Sequence, residues 1–242
     1  MSKKIVVFDF DETLGSFSQI YLFWISIINI LKISDKNEQK IILFDLLDIF
    51  PKFFRPLIID ILSFVLQNKL NNNCKEVLIY TNNNGPIEWC HYIIEYLNYK
   101  TNKKTKVIDK IIKAFIVNGK QREKRRTSTD KSITDLIKYT KYSKKLEICF
   151  IDDQEHTDMI TDNVYYINIL PYTYSLSFND MATIYYDKML HHDIIPKNIF
   201  INNIIELNKN FIFKENENDE LNIQPIISKQ LLKYLDEFFN NI

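Results

Sequence analysis

Three stretches of this chain place carboxylates or hydroxyls directly after an apolar, β-branched run. Asp9-Phe10-Asp11-Glu12-Thr13 follows KIVVF at 4–8, Thr81-Asn82-Asn83 follows VLIY at 77–80, and Asp152-Asp153 follows LEICFI at 146–151. One aspartate after a strand is an ordinary turn or capping residue. The same pattern after three strands points to a shared site. A carboxylate can attack phosphorus and split phosphoester hydrolysis into two easier steps. The phosphate is itself an anion, so the attack needs positive charge, and a magnesium ion held by several acids supplies it. Asp11, two residues past Asp9, faces the same ligand. It can protonate the leaving oxygen and then deprotonate the water that completes the cycle.

The second stretch offers anion-binding groups. Thr81 supplies a hydroxyl, and the backbone N–H groups from Asn82 to Gly85 lead into a helix opening at Pro86, whose N-terminal end is positive. A fixed cation is also needed against the transferring group. Lys131 stands at the end of a basic run from Lys120, directly before a short helical pattern (Ile133, Leu136, Ile137). The other basic residues read as a solvated turn, with a docking surface for an acidic or phosphorylated polymer as the alternative.

The elements that position these residues follow from hydrophobic patterning. The runs at 4–8, 77–80, 146–151 and 164–169 are continuous rather than alternating, so they are strands buried on both faces. Residues 16–50 read as two helices. Others begin near Pro56, at Pro86 (to about Asn98), and at a cap on Asn179 or Asp180 (to Leu190), and a last one spans about Ser228 to Phe239. Ala114–Val117 followed by Asn118-Gly119 predicts a strand entering a turn. Strands alternating with helices imply a Rossmann-like α/β fold with a central parallel sheet, and ligands bind beyond the carboxyl ends of its strands. We expect one domain over 1–242, with 16–50 a helical insertion or small cap and 171–242 a C-terminal helical extension.

Composition narrows the classes. Apolar residues are 46% and charged residues 26% of 242, enough for a sizeable core and against global disorder. Lysine plus arginine equals aspartate plus glutamate at 31 each, which gives no argument for nucleic acid or an anionic membrane. Cys74, Cys90 and Cys149 form no CxxC pair, so neither a zinc site nor a disulfide framework is expected. The start reads as a strand rather than a signal peptide. The apolar stretch from Phe17 to Ile33 contains Gln19, Asn29 and Lys32, and reads as a buried helix rather than a membrane span. An intracellular soluble protein, cytoplasmic or nuclear, is the expectation.

The ordered motifs resemble those of the haloacid dehalogenase (HAD) superfamily. Asp9-Phe-Asp11-Glu12-Thr13-Leu14 after a strand looks like the first signature, Thr81 like the second, Lys131 like the third and Phe150-Ile151-Asp152-Asp153 like the fourth. The match runs from about residue 4 to 170. Asp-x-Asp-Glu-Thr-Leu, and Arg55-Pro56 before a helix, are similar to the branch containing the RNA polymerase II C-terminal-domain phosphatases and their NLI-interacting-factor-like relatives. The chain departs from that branch in carrying Asp152-Asp153 where Asp-Asn is usual, and Gly15-Ser16 where Val-His is usual.

The resemblance implies a magnesium-dependent phosphatase, with Asp9 the nucleophile and Asp11 the acid/base. Thr81, Asn82 and Lys131 would hold the phosphoryl group. Asp9, the Asp11 carbonyl, Asp152 and Asp153 would hold Mg2+, with Asp158 a further acid nearby. The implied substrate is a phosphoprotein bearing phosphoserine or phosphothreonine. The alternatives are a small-molecule or nucleotide phosphatase with 16–50 as a lid, and a catalytically idle binding protein on the same fold. Two other features carry less. His191-His192-Asp193 reads as a loop or helix end rather than a metal site, and Tyr165, Tyr166, Tyr172 and Tyr174 read as packing rather than a base-stacking platform.

Overall fold

The computed structural model describes residues 4–142, 146–190, 194–214 and 218–240. The described elements are β1 (Lys4–Phe8), α1 (Ser18–Leu31), α2 (Lys36–Ile49), α3 (Ile58–Leu70), β2 (Glu76–Tyr80), α4 (Ile87–Thr101), β3 (Lys110–Ile112), β4 (Ile116–Val117), β5 (Lys120–Gln121), α5 (Ile133–Thr140), β6 (Glu147–Asp152), β7 (Val164–Asn168), α6 (Phe178–Met189), α7 (Lys197–Asn208) and α8 (Asn218–Asn240). They group into two compact units. One comprises Met1–Gly15, Arg55–Tyr172 and Asn222–Ile242, and the other Ser16–Phe54 and Thr173–Leu221.

The first unit is α/β. Its five-stranded sheet has the order β3-β2-β1-β6-β7, and every pairing in it is parallel. The continuous apolar runs inside the sheet have their expected result, since all of β2 is buried, as is β6 after its first residue; β7, at the sheet edge, is mostly half-buried instead of buried on both faces. Alternation along the strands sends Ile5, Val7, Leu78, Tyr80, Ile148 and Phe150 into one cluster, which Leu136 of α5 joins. Register sets the site: Phe8 lies opposite both Ile79 of β2 and Ile151 of β6. The next residues, Asp9, Tyr80 and Asp152, therefore emerge side by side.

β3 is an edge strand that the hydrophobic pattern did not announce. Asp109 positions it: its backbone N–H donates to the Val77 carbonyl at 2.9 Å, and its carboxylate accepts from the Val77 N–H at 2.9 Å and from Lys69 Nζ at 2.5 Å. The Asn118-Gly119 turn joins β4 to β5 as a two-residue hairpin. Both residues have positive φ, 52° and 72°, the conformation such turns need and asparagine and glycine tolerate.

The second unit is helical, built from α1, α2, α6 and α7. Phe23 of α1 meets the Phe50 and Tyr185 rings edge-on at 6.0 Å each, and Tyr185 stacks on Phe200 of α7 at 6.1 Å. Polar groups inside it are paired. Asn208 Nδ2 donates to Ser26 Oγ at 2.8 Å, and Gln19 donates to the Leu176 carbonyl at 2.7 Å while accepting from its N–H at 3.1 Å. Phe17–Ile33 thus contributes α1 to this unit, and no described helix is long and apolar enough to cross a membrane.

Several expectations differ from these elements. Residues 16–50 group with 173–221, so the C-terminal region divides between the units instead of forming one extension. α6 is capped by Ser177, whose Oγ accepts from the Asp180 N–H at 3.0 Å, rather than by Asn179 or Asp180. α8 starts ten residues before Ser228 and carries Pro225 within it. α7 matches no expected helix. His191-His192-Asp193 lies outside the described residues.

Candidate functional site

Asp9 leaves β1 with its N–H donating to the Ile151 carbonyl at 2.8 Å, which extends the ladder by one residue and fixes the carboxylate at the sheet edge. The chain then turns sharply. Glu12 has φ of +59°, its N–H donates to the Gly15 carbonyl at 2.8 Å, and the buried Phe10 and Leu14 anchor the turn. Thr13 Oγ1 donates to Asp153 Oδ1 at 3.0 Å, tying this loop to the end of β6.

Lys131 sits between the two strand ends. Its ammonium donates to Asp9 Oδ1 and, at 2.6 Å, to Asp152 Oδ2. It is 2% exposed, so this is a buried cation bridging two buried carboxylates. Asp9, Asp152 and Asp153 each present an oxygen within 4.8 Å of the others. Asp152 also accepts from the Gln154 N–H at 2.9 Å, and the His156 ring stands 3.4 Å away.

The second strand end approaches through Asn83, not Asn82. Asn83 Nδ2 donates to Asp11 Oδ2 at 2.8 Å, its Oδ1 accepts from the Gly85 N–H at 2.9 Å, and its N–H donates to Thr81 Oγ1 at 2.9 Å. Thr81 is buried with its hydroxyl proton free to point elsewhere, whereas Asn82 is exposed. Asp158 is exposed too, and His156 takes the place beside Asp152.

Electrostatics follow from this crowding. Burial pushes the Asp9 carboxyl up to about 8, with the neighbouring Asp152 charge adding and Lys131 opposing. Burial also raises Asp11, against the Asn83 hydrogen bond and Lys131, and raises Asp153. For Asp152 burial acts upward, but the His156 ring, Lys131 and the Gln154 N–H outweigh it and hold it below the ordinary range. Four carboxylates thus face one ammonium. That donor set fits a hard dication, which favours oxygen ligands and would relieve the repulsion.

Two buried arginines hold the loops. Arg55 donates through Nε to the Thr13 carbonyl at 2.6 Å, through Nη2 to the Glu12 and Leu170 carbonyls at 2.7 and 2.8 Å, and through Nη1 to Gln224 Oε1 at 3.0 Å. Arg126 donates to the carbonyls of Thr81 and Lys113, both at 3.1 Å, and of Thr129 and Asp130 at 2.7 and 3.3 Å, with its guanidinium 4.8 Å from the Tyr80 ring centroid. It therefore joins the Thr81 strand end to the loop that delivers Lys131. The sequence shows Arg126 as one of a basic run, and burial alone separates it from its neighbours.

Of the residues the sequence points to, Asp9, Asp11, Thr81, Lys131, Asp152 and Asp153 come together, and Asn82 does not. Asn83, Arg55, Arg126 and His156 join them. Searches among protein-family models, curated proteins and solved structures find no match to this chain.

Proposed function

We propose that this chain is a magnesium-dependent phosphomonoester hydrolase of HAD type that works through a phosphorylated Asp9. The carrying observation is Lys131 bridging Asp9 and Asp152 beside Asp153, which gathers attacking, cationic and metal-binding groups from separate strand ends. An Asp9 oxygen attacks phosphorus as the ester P–O bond breaks. Asp11, whose pKa burial raises, gives its proton to the departing alkoxide. Asp11 then removes a proton from water, whose oxygen attacks the phosphorus of the acyl phosphate. Asp9 leaves as a carboxylate, and inorganic phosphate is released. Lys131 and the Thr81 hydroxyl balance the phosphoryl charge. Asp9, Asp152, Asp153 and the Asp11 carbonyl would hold Mg2+, which supplies Lewis-acid charge for the phosphoryl oxygens.

The substrate class we infer is a protein phosphoserine or phosphothreonine, supported by the Asp-x-Asp-Glu-Thr-Leu and Arg55-Pro56 resemblance. A small-molecule or nucleotide phosphatase is the second reading. It is favoured by the separate helical unit that begins directly after the first motif. The test is hydrolysis of p-nitrophenyl phosphate with magnesium. Wild type is expected to turn over, and Asp9→Asn and EDTA-treated protein are not. Turnover by the Asp9→Asn variant would overturn the mechanism.

A further inference from the structure

Beside the acid/base lies a cleft that the chemistry above does not use. It is small and open to solvent, and is lined among others by Thr81, Asn83, His91, Lys113 and Arg122. All of these belong to the first unit. Two of them also belong to the site: Thr81, and Asn83 through its hydrogen bond to Asp11 Oδ2. Asp11 protonates the leaving oxygen in the proposed reaction, and Asn83, its hydrogen-bond partner, lines this cleft.

The cleft carries uncompensated positive charge. Arg122 Nη1 donates to the Gly85 carbonyl at 3.1 Å, which places the guanidinium at the start of α4. Among the described residues, no carboxylate lies within ion-pair distance of Lys113 or Arg122. Burial, with the nearby Lys113 charge adding to it, holds the His91 imidazole below its usual pKa. Glu88 is the one acid acting on His91, and it opposes that effect. The positive N-terminal end of α4 adds to the same potential. Exposed Arg122 and half-buried Lys113, with no described carboxylate paired to either, select for an anionic partner beside the catalytic acid.

We propose that this cleft is an anionic subsite that receives a second negatively charged group, a phosphate or a carboxylate, carried on the leaving-group portion of the substrate. This rests on the phosphomonoesterase reading. Lys113 and Arg122 would make charge-assisted hydrogen bonds to that group, and Pro86 and Ile111 supply apolar lining beside them.

The test compares matched substrate pairs. One pair is a phosphoserine peptide with neutral neighbours and the same peptide with an adjacent second phosphoserine. The other is the monophosphate and the bisphosphate of butanediol. Wild type is expected to favour the doubly charged member of at least one pair by about tenfold or more in kcat/KM, the size of one charge-assisted hydrogen bond. The favoured pair identifies whether peptide or small molecule supplies the anion. The double variant Lys113→Met, Arg122→Gln is expected to bring the preference close to one. Lys113→Arg with Arg122 intact should keep most of it, and Lys124→Gln, exposed on the same loop, should keep all of it. Absence of any preference in wild type, or a preference that survives the double variant, would overturn the subsite. If p-nitrophenyl phosphate is still hydrolysed in that case, only the subsite falls. If wild type hydrolyses none of these esters, both readings fall together.

Discussion

Replacing Arg126 by methionine should cost about 3 kcal/mol of stability in the sheet-containing unit and should disable the site more than that loss explains. The figure follows from the four carbonyls the guanidinium serves. Thr129 and Asp130 are exposed, so water can replace the arginine at their carbonyls. Thr81 is buried and Lys113 half-buried, and their carbonyls would be left without a donor. An unsatisfied buried acceptor costs about 1–3 kcal/mol, and the lost guanidinium–Tyr80 contact adds about 0.5–1 kcal/mol. Burial already depresses the Arg126 pKa, so removing the charge returns part of that sum.

Urea unfolding followed by tryptophan fluorescence measures this. The chain has two tryptophans, Trp24 in the helical unit and Trp89 in α4, so a Trp24→Phe background leaves one reporter on the sheet unit. Arg126→Met should lower the midpoint at unchanged slope. Arg126→Lys should recover part of the stability but little of the turnover, because one ammonium cannot reach Thr81 and the 129–130 loop together as the planar fork does. A stability loss under about 1 kcal/mol, or wild-type turnover in Arg126→Lys, would refute the claim that this side chain registers Thr81 against Lys131.

Other outcomes follow from the same geometry. Arg55→Met should destabilise by a similar amount, about 3 kcal/mol, because it strands the buried Thr13 carbonyl and Gln224 Oε1, whereas the Glu12 carbonyl keeps the Tyr172 N–H and water can reach exposed Leu170; chemical denaturation of the same Trp24→Phe background checks it. Asn83→Ala removes the hydrogen bond that favours ionised Asp11, so the Asp11 pKa rises further. The basic limb of the kcat/KM–pH profile should then move to higher pH, and a limb that stays put or moves down contradicts the acid role. His91 should titrate below 6.5 by NMR and shift upward in Lys113→Gln. Its charged form is disfavoured in the folded protein, so acidification through 6.5 should cost more stability in wild type than in His91→Gln, and equal losses would contradict the shift.

How much of this was legible in the sequence depends on whether a residue's neighbours in the chain are also its neighbours in space. β1, β2 and β6 announce themselves because burial on both faces demands continuous apolar runs, and the residue after each run is then placed without further information; β7 carries the same kind of run although it is a half-buried edge strand. β3 is three residues long and begins with a lysine, and what creates it is the pairing of Asp109 with Val77, a partner 32 positions away. Three consecutive asparagines at 82–84 are indistinguishable by type. Only the turn, in which the Asn83 N–H folds back on Thr81 Oγ1, selects Asn83 to face Asp11. Arg126 and Lys131 lie in one basic run, and their exposure of only 2% each separates them from exposed Lys124 and Arg125. The four segments of the helical unit come from two distant stretches, and nothing in either periodicity says that α1 packs with α7.

The two buried arginines also bear on why the acids stay available. A buried guanidinium is usually matched by a carboxylate, because an unpaired buried charge is costly. Arg55 and Arg126 instead direct their donors at backbone carbonyls and one glutamine, with Arg126 Nε left unpartnered, so neither consumes an acid of the site. Arg55 still feels Asp153, whose charge opposes the drop that burial imposes on the arginine's pKa. The arrangement positions the loops with cations while leaving Asp9, Asp11, Asp152 and Asp153 to share a single ammonium. Positioning by ion pairs would have neutralised those carboxylates and removed the negative potential that a dication needs. Placing Glu at position 224 tests this. A carboxylate facing Arg55 loses the donation from Gln224 Nε2 to the Pro171 carbonyl but should weaken the positive field at Asp153, so magnesium affinity, read by calorimetric titration, should rise as Asp153 loses its competing cation. Weaker magnesium binding in Gln224→Glu would show that Arg55 does not compete with the ion.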